Sequence, residues 1–436
     1  ILGSLLAWWV LGPRTREMTH RLGATTMPEF FGKRFKSKGL RIASAAIIFV
    51  FLIPYTASVY NGLSRLFGMA FGLPYEVCVI GMAVITCLYV VLGGYMATVM
   101  NDFLQGIVML FGIVAVIAAV ILNNGGFSEA ITTLSQIPAE GSQMAGPFVS
   151  MFGPDLFNLL GVVVLTSLGT WGLPQMVQKF YAIKSGPAVK QGAIISTLFA
   201  FVVAGGSYFL GGFGRLYADK IEIGPTGIPV YDSIIPTMLS TLPDILIGIV
   251  IVLVLSASMS TLSSLVLTSS STLTLDLLQG NVVKKMSEQS KLGWMRVLIV
   301  LLIIMSAKLA LVQYNSSITF IAQLMGISWG ALAGAFLGPF LWGLYSGRIS
   351  KAAVWCSFIV GVCLTSGNMV LTLMGTPLIA SPINCGALAM LLSLIIVPVV
   401  SLFTKSVPFE VNLPSPEGAI DREYQHELAV ERKGAE

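Results

Sequence analysis

Leu253–Leu278 reads LVLSASMSTLSSLVLTSSSTLTLDLL, a run apolar enough to cross a membrane in which 12 of 26 residues are Ser or Thr. On a helix, Ala257, Ser260, Thr261, Ser264 and Thr268 follow i, i+3, i+4, i+7, i+11 and share one face. Two readings of that face stand. Membrane helices use Ser and Thr for close packing and for bonds back to their own carbonyls. Converging hydroxyls are also neutral oxygen donors, able to replace part of the water shell of a small hard cation.

The surrounding composition places this run in a bilayer. The chain has 436 residues, is 55% hydrophobic and only 10% charged, and has a mean hydropathy of +0.86. Soluble domains carry about 25% charged residues. The apolar runs are continuous and long, so the fold class is an all-α polytopic membrane protein and not a β-barrel. Cys78, Cys87, Cys356, Cys363 and Cys385 lie in or beside apolar spans without metal-ligand spacing, and read as packing residues. His20 and His426 lie far apart in charged segments, so no zinc cluster or catalytic His arrangement can be built, and an enzyme is not expected. The net charge of +5 reads as a topology signal and not as nucleic-acid binding.

Ten complete spans are expected, at roughly 41–70, 75–95, 103–122, 153–175, 188–213, 243–275, 292–312, 318–345, 351–374 and 383–404. Residues 1–11 are too short to span and read as the tail of a helix truncated at its start. Thr26-Met27-Pro28-Glu29-Phe30-Phe31 reads as a short surface helix with Pro at its start. Lys and Arg cluster in 13–41, 179–190, 284–296, 348–351 and the tail, on alternate sides of the spans. The positive-inside rule then gives a multi-pass protein of the plasma (inner) membrane with a cytoplasmic C-terminus. Residues 1–404 form one membrane domain, and 405–436 a polar cytoplasmic tail.

Three features interrupt the spans. Gly169-Thr170-Trp171-Gly172-Leu173-Pro174 breaks one, with Gln175 and Gln178 just beyond; freed backbone groups there need a polar surrounding, as in a discontinuous helix at a substrate site. A plain proline kink is the alternative. Tyr55, Thr56, Ser58, Tyr60 and Asn61 put a polar stripe in a span, for a cavity or for interhelical bonds. Asp102 opens a span, as a helix-dipole partner or as a cation-attracting carboxylate.

Three stretches, VLSASMSTLSSLVLTSSSTLTLDLL, GGYMATVMNDFLQGIVMLFG and GTWGLPQMVQKFYA, resemble the sodium:solute symporter family, and within it the branch that carries proline and pantothenate. The resemblance covers Ile1 to about Thr404. It implies a LeuT-like fold of two inverted five-helix repeats, beginning here inside the second core helix. It implies sodium-coupled import of a small organic solute, an amino acid or a monocarboxylate, by alternating access. A sensor or a channel-like protein on the same scaffold is the alternative. By the family pattern, Ala257 (carbonyl), Ser260 and Thr261 hold the main sodium ion, completed by a helix upstream of Ile1. Asp102, Ser263 and Ser264 match a second sodium site found in some members. Tyr55 matches a substrate-contacting aromatic, and Ser58, Thr166, Thr170, Trp171, Pro174 and Gln175 are its candidate companions at the substrate site and gate. Thr166 and Thr170 stand where proline carriers have Trp and Tyr. The implied partners are Na+, a small-molecule substrate and the lipid bilayer; the sequence leaves the oligomeric state open.

Overall fold

The computed structural model describes residues 2–139, 144–183, 186–223, 227, 229–279, 282–283, 286–314 and 321–409. Lys184, Lys284 and Lys285 of the basic clusters, residues 318–320 and tail residues 410–436 lie outside them. The described residues form helices and isolated bridges. In chain order these are α1 (2–22), α2 (Met27–Arg34), α3 (Lys38–Phe71), α4 (Tyr75–Asn123), α5 (Phe127–Gln136), α6 (Leu156–Gly172) and α7 (Pro174–Tyr181). There follow α8 (Pro187–Lys220), α9 (Asp244–Leu278), α10 (Glu288–Tyr314), α11 (Ile321–Tyr345), α12 (Lys351–Leu373) and α13 (Pro382–Phe403).

Nine helical segments among the described residues are long and apolar enough to span, and α6 with α7, bent by 42°, makes a tenth. This matches the ten spans expected from sequence. Helix α4 holds two of them, Tyr75–Gly93 and Val99–Asn123. Asn101 Nδ2 donates to Tyr89 Oη at 3.0 Å. Twelve residues of straight helix rise about 18 Å, farther than the two side chains reach together, so the two spans are not one straight rod.

The centre is α11, whose apolar span is 89% buried, whereas α8 at 6% is peripheral. Close approach explains the difference. Gly326, Gly330, Gly334 and Gly338 recur every fourth residue and form one smooth stripe on α11. A Cβ at Gly330 would lie 2.5 Å from Gly386 Cα on α13. On α12, a Cβ at Gly361 would fall on the backbone of Gly334 and Ala335. Pro339 has no N–H, so it strips the Ala335 carbonyl of its helical partner. Ser357 Oγ donates to that carbonyl at 2.9 Å. Ser393 Oγ lies 2.8 Å from Ser357 Oγ and accepts from Gly338 N at 2.9 Å.

At the end of the bundle carrying Lys38, Arg41 and Lys351, α2 departs from the surface helix expected. Thr26 caps it by accepting from Glu29 N at 3.1 Å. Phe30, Phe31 and Arg34 are wholly buried. Their rings meet Phe340 and Phe336 of α11 and Phe358 of α12, with centroids 5.0–5.5 Å apart. Arg34 Nε and Nη2 donate to the Gly343 and Ser346 carbonyls at 3.0 and 2.7 Å, satisfying the end of α11. The first tail residues are held too: Val407 N donates to Ile349 O at 3.0 Å, and Phe409 lies 4.6 Å beneath the Arg34 guanidinium.

The packing of Gly361 against backbone makes a direct test. Gly361→Ala should lower the thermal midpoint of the purified protein by several degrees, since overpacking costs about 1–3 kcal/mol. Gly367→Ala, on the same helix with nothing within 4 Å of its Cβ position, should leave it level or slightly raised. Equal midpoints for the two variants would refute the close-packed α11–α12 contact.

Candidate functional site

Helix α9 spends its hydroxyls in two ways. Thr261 Oγ1 donates to Ala257 O at 2.9 Å, and Ser263 Oγ to Ser260 O at 3.0 Å. Ser270 and Ser271 bond back likewise, to Leu267 O and Thr268 O, each at 3.2 Å. A hydroxyl has one proton and two lone pairs. With its proton on the Ala257 carbonyl, Thr261 keeps acceptor capacity for a cation beside that same carbonyl. Bonding back and ion binding are therefore compatible at this pair.

Asp102, on the second arm of α4, meets α9 and the broken helix around one cavity of about 290 Å³. Its walls include Asp102, Gln175, Gln178, Lys179, Ser263, Ser264 and Thr268. Asp102 Oδ1 is buried without a hydrogen-bond partner, and the Ser260 side chain of α9 acts on the same carboxyl group. The sequence assigns Ser260 and Asp102 to separate ion sites; the structure joins them. Gln175 is 3% exposed, with both ends of its amide unpartnered. Leu173, in extended conformation between α6 and α7, and Pro174 at the start of α7 aim that amide into the bundle. Hydroxyls, amide oxygens and one carboxylate make an all-oxygen donor set suited to a hard cation.

The other sequence candidates lie elsewhere. Tyr55 is buried edge-to-face against Trp329 of α11, with centroids 5.6 Å apart, and Trp329 Nε1 has no partner. Pro54 weakens the helix at this point, and Ser328 Oγ donates to the neighbouring Phe51 carbonyl at 2.5 Å. Ser58 Oγ donates to Tyr55 O at 2.7 Å. Thr166 and Thr170 bond back to Val162 O and Ser167 O at 2.7 and 2.9 Å. Trp171 Nε1 donates to Gly3 O of α1 at 3.0 Å. None of these five, from Tyr55 and Ser58 to Trp171, lines the Asp102 cavity.

Two buried carboxylates bracket the bundle, and neither stood out as a site in the sequence. At the basic end, Asp276 accepts from Arg41 Nε at 2.7 Å and Thr26 Oγ1 at 2.6 Å, tying α9 to α2 and α3. At the other end, Asp232 accepts from Ile321 N at 2.9 Å and Asn61 Nδ2 at 3.4 Å, holding the 229–243 segment against α11 and α3. Burial pushes the Asp232 carboxyl up to about 7, against the opposing pull of the Arg65 guanidinium. Both partnerships join residues remote in sequence, so no local spacing announces them.

The chain is similar in sequence to several known transporters. The osmoregulated proline transporter OpuE of Bacillus subtilis is 29% identical over 370 residues, 83% of this chain and 71% of that protein. The sodium/pantothenate symporter of Escherichia coli is 29% identical over 363 residues, 82% and 71% of the two chains. The sodium/proline symporter of Salmonella typhimurium is 28% identical over 374 residues, 83% and 70%. Among solved structures, the substrate-bound outward-open state of a Na+-coupled sialic acid symporter superposes with a TM-score of 0.69, over 94% of this chain and 84% of that one, at 19% identity. That likeness carries the LeuT-like fold. The sodium:solute symporter family model matches residues 1–361, spanning α9 with its hydroxyls, the Asp102 arm and the α6–α7 break, and the chain belongs to the sodium:solute symporter family.

Proposed function

We propose that the protein is a sodium-coupled symporter that imports a small organic solute by alternating access. The observation that carries this reading is the convergence of Asp102, Ser263 and Ser264 at one cavity beside the broken helix, with Ser260 acting on the Asp102 carboxyl. The main sodium ion is bound by the Ala257 carbonyl, Ser260 and Thr261, and a second by Asp102, Ser263 and Ser264. The contact between Ser260 and Asp102 makes the two ions neighbours on one helix face. Family membership supports the coupling ion, and the proline and pantothenate carriers among its relatives support an amino acid or monocarboxylate as substrate.

A substrate carboxylate is received at the break, where the positive end of α7 adjoins the amide side chain of Gln175. Tyr55, Ser58, Thr166, Thr170 and Trp171 shape the remainder of the substrate path. Thr166 and Thr170 are smaller than the Trp and Tyr of proline carriers, which favours a solute bulkier than proline. The protein sits in the plasma (inner) membrane, with the end that carries Arg41 and the C-terminus in the cytoplasm.

Solute uptake into proteoliposomes should require an inward sodium gradient, and uptake unchanged when potassium replaces sodium would sink the coupling. Ser260→Ala with Thr261→Ala should raise the sodium concentration for half-maximal uptake by about tenfold, the loss of roughly 1.4 kcal/mol of ion binding. An unmoved half-saturation would remove both hydroxyls from the site. Asp102→Asn should lower the number of sodium ions moved per solute, read from the reversal potential of coupled flux. A preserved stoichiometry would reduce Asp102 to a helix-dipole partner.

A further inference from the structure

The second-sodium cavity contains a cation of its own. Among the described residues lining it there is one carboxylate, Asp102, and one basic side chain, Lys179. Lys179 lies in the last turn of α7, beyond the break, and is exposed where Gln175 is buried. It forms no ion pair among the described residues. Asp102 keeps one oxygen buried and unpartnered, and Lys179 is the basic group acting on it electrostatically. The adjoining amide of Gln178 also leaves its Nε2 without a partner.

We propose that Lys179 is a tethered competitor for the second sodium ion: its ammonium takes over Asp102 when the ion leaves, and yields it when the ion returns. This rests on the reading of Asp102, Ser263 and Ser264 as that ion's site. An ammonium carries the same charge as sodium and satisfies the same carboxylate oxygens. A carboxylate emptied of its ion in a cavity with low dielectric walls is costly. A lysine on a flexible four-carbon stem neutralises it without dissociating from the protein. Three consequences follow. The empty carrier crosses between its states with Asp102 compensated. Sodium release speeds up, because the incoming ammonium displaces the ion. Apparent sodium affinity falls, because each ion must displace a group held at high local concentration.

The position of Lys179 adds direction. It is carried by α7, while Ser263 and Ser264 are carried by α9 and Asp102 by α4. The α6–α7 element is bent by 42° at its break, so a hinge at Leu173 moves the lysine relative to the other three residues. Lys179 is thus a positioning residue whose reach to Asp102 depends on the conformation of the break, and it makes sodium release responsive to that conformation.

The test uses the full-length purified protein with radiolabelled sodium as the only ligand, at constant ionic strength. Lys179→Gln should lower the half-saturating sodium concentration about three- to tenfold and slow sodium release by a similar factor. Lys179→Arg should stay near wild type, since it keeps the charge. In an Asp102→Asn background, Lys179→Gln should change nothing further, because the two residues act on each other. An unchanged Lys179→Gln, or one that shifts wild type and Asp102→Asn equally as a plain surface charge would, overturns the proposal. The two readings fail separately. If Asp102→Asn still binds as many sodium ions as wild type, the second site falls and Lys179 with it. If it binds one fewer while Lys179→Gln leaves affinity and release untouched, only the tethered cation falls.

Discussion

Water is absent from the bilayer core, so each backbone or side-chain polar group there must find its partner within the protein. The devices of this fold follow from that constraint. Pro339 frees a carbonyl on the central helix, and Ser357, backed by Ser393, restores its bond. Arg34 satisfies the carbonyls where α11 ends. Asp276 is wholly buried and is tolerated because Arg41 and Thr26 both bond to it. At each of these places a polar group that the fold buries is met by a named partner.

The exceptions are informative against that background. Asp102, Gln175 and Gln178 retain unpartnered atoms, and all three line the same cavity. Unsatisfied polar atoms cost roughly 1–3 kcal/mol each. Other buried atoms, among them Trp329 Nε1 on α11, Ser306 Oγ and Ser64 Oγ, are also unpartnered, but this cavity gathers three such side chains beside a break in a helix. Such a concentration is what a site for a transient polar ligand requires: the ligand completes the bonding when present and can depart because the protein does not hold those atoms permanently.

Sequence and structure divide the information in a way that follows from range. The spans were legible because apolar runs of bilayer length leave few alternatives, and the bend at Leu173 was visible in its Gly and Pro. The stripe Gly326, Gly330, Gly334 and Gly338 was open to inspection, but only the packing shows which neighbours it admits. Helix α2 was misread as a surface element, since its basic flanks suggest exposure while Phe30 and Phe31 find aromatic partners more than 300 positions later in the chain. The Asp102 cavity draws on three separate elements, and the Ser260 contact crosses the boundary between two ion sites that the family pattern keeps apart. Lys179 read as one more basic residue in a loop, because its meaning depends on a carboxylate two helices away.

An ion couples to transport only if it binds one conformation better than another. A rigid cage of carboxylates would hold sodium in both, and release would be slow. Here the donors are mostly neutral oxygens on α9, with one carboxylate on α4 and the polar side chains of α7 opposite. The α9 wall is one long helix, the Asp102 wall is the start of the Val99–Asn123 span, and the third wall begins at a break. On the proposed reading, a modest rotation of α7 changes the coordination and the electrostatics of the cavity without unpacking the core around α11. The close glycine contacts fix the core around α11, and the bend at Leu173 sets the proposed movement in the wall opposite Asp102.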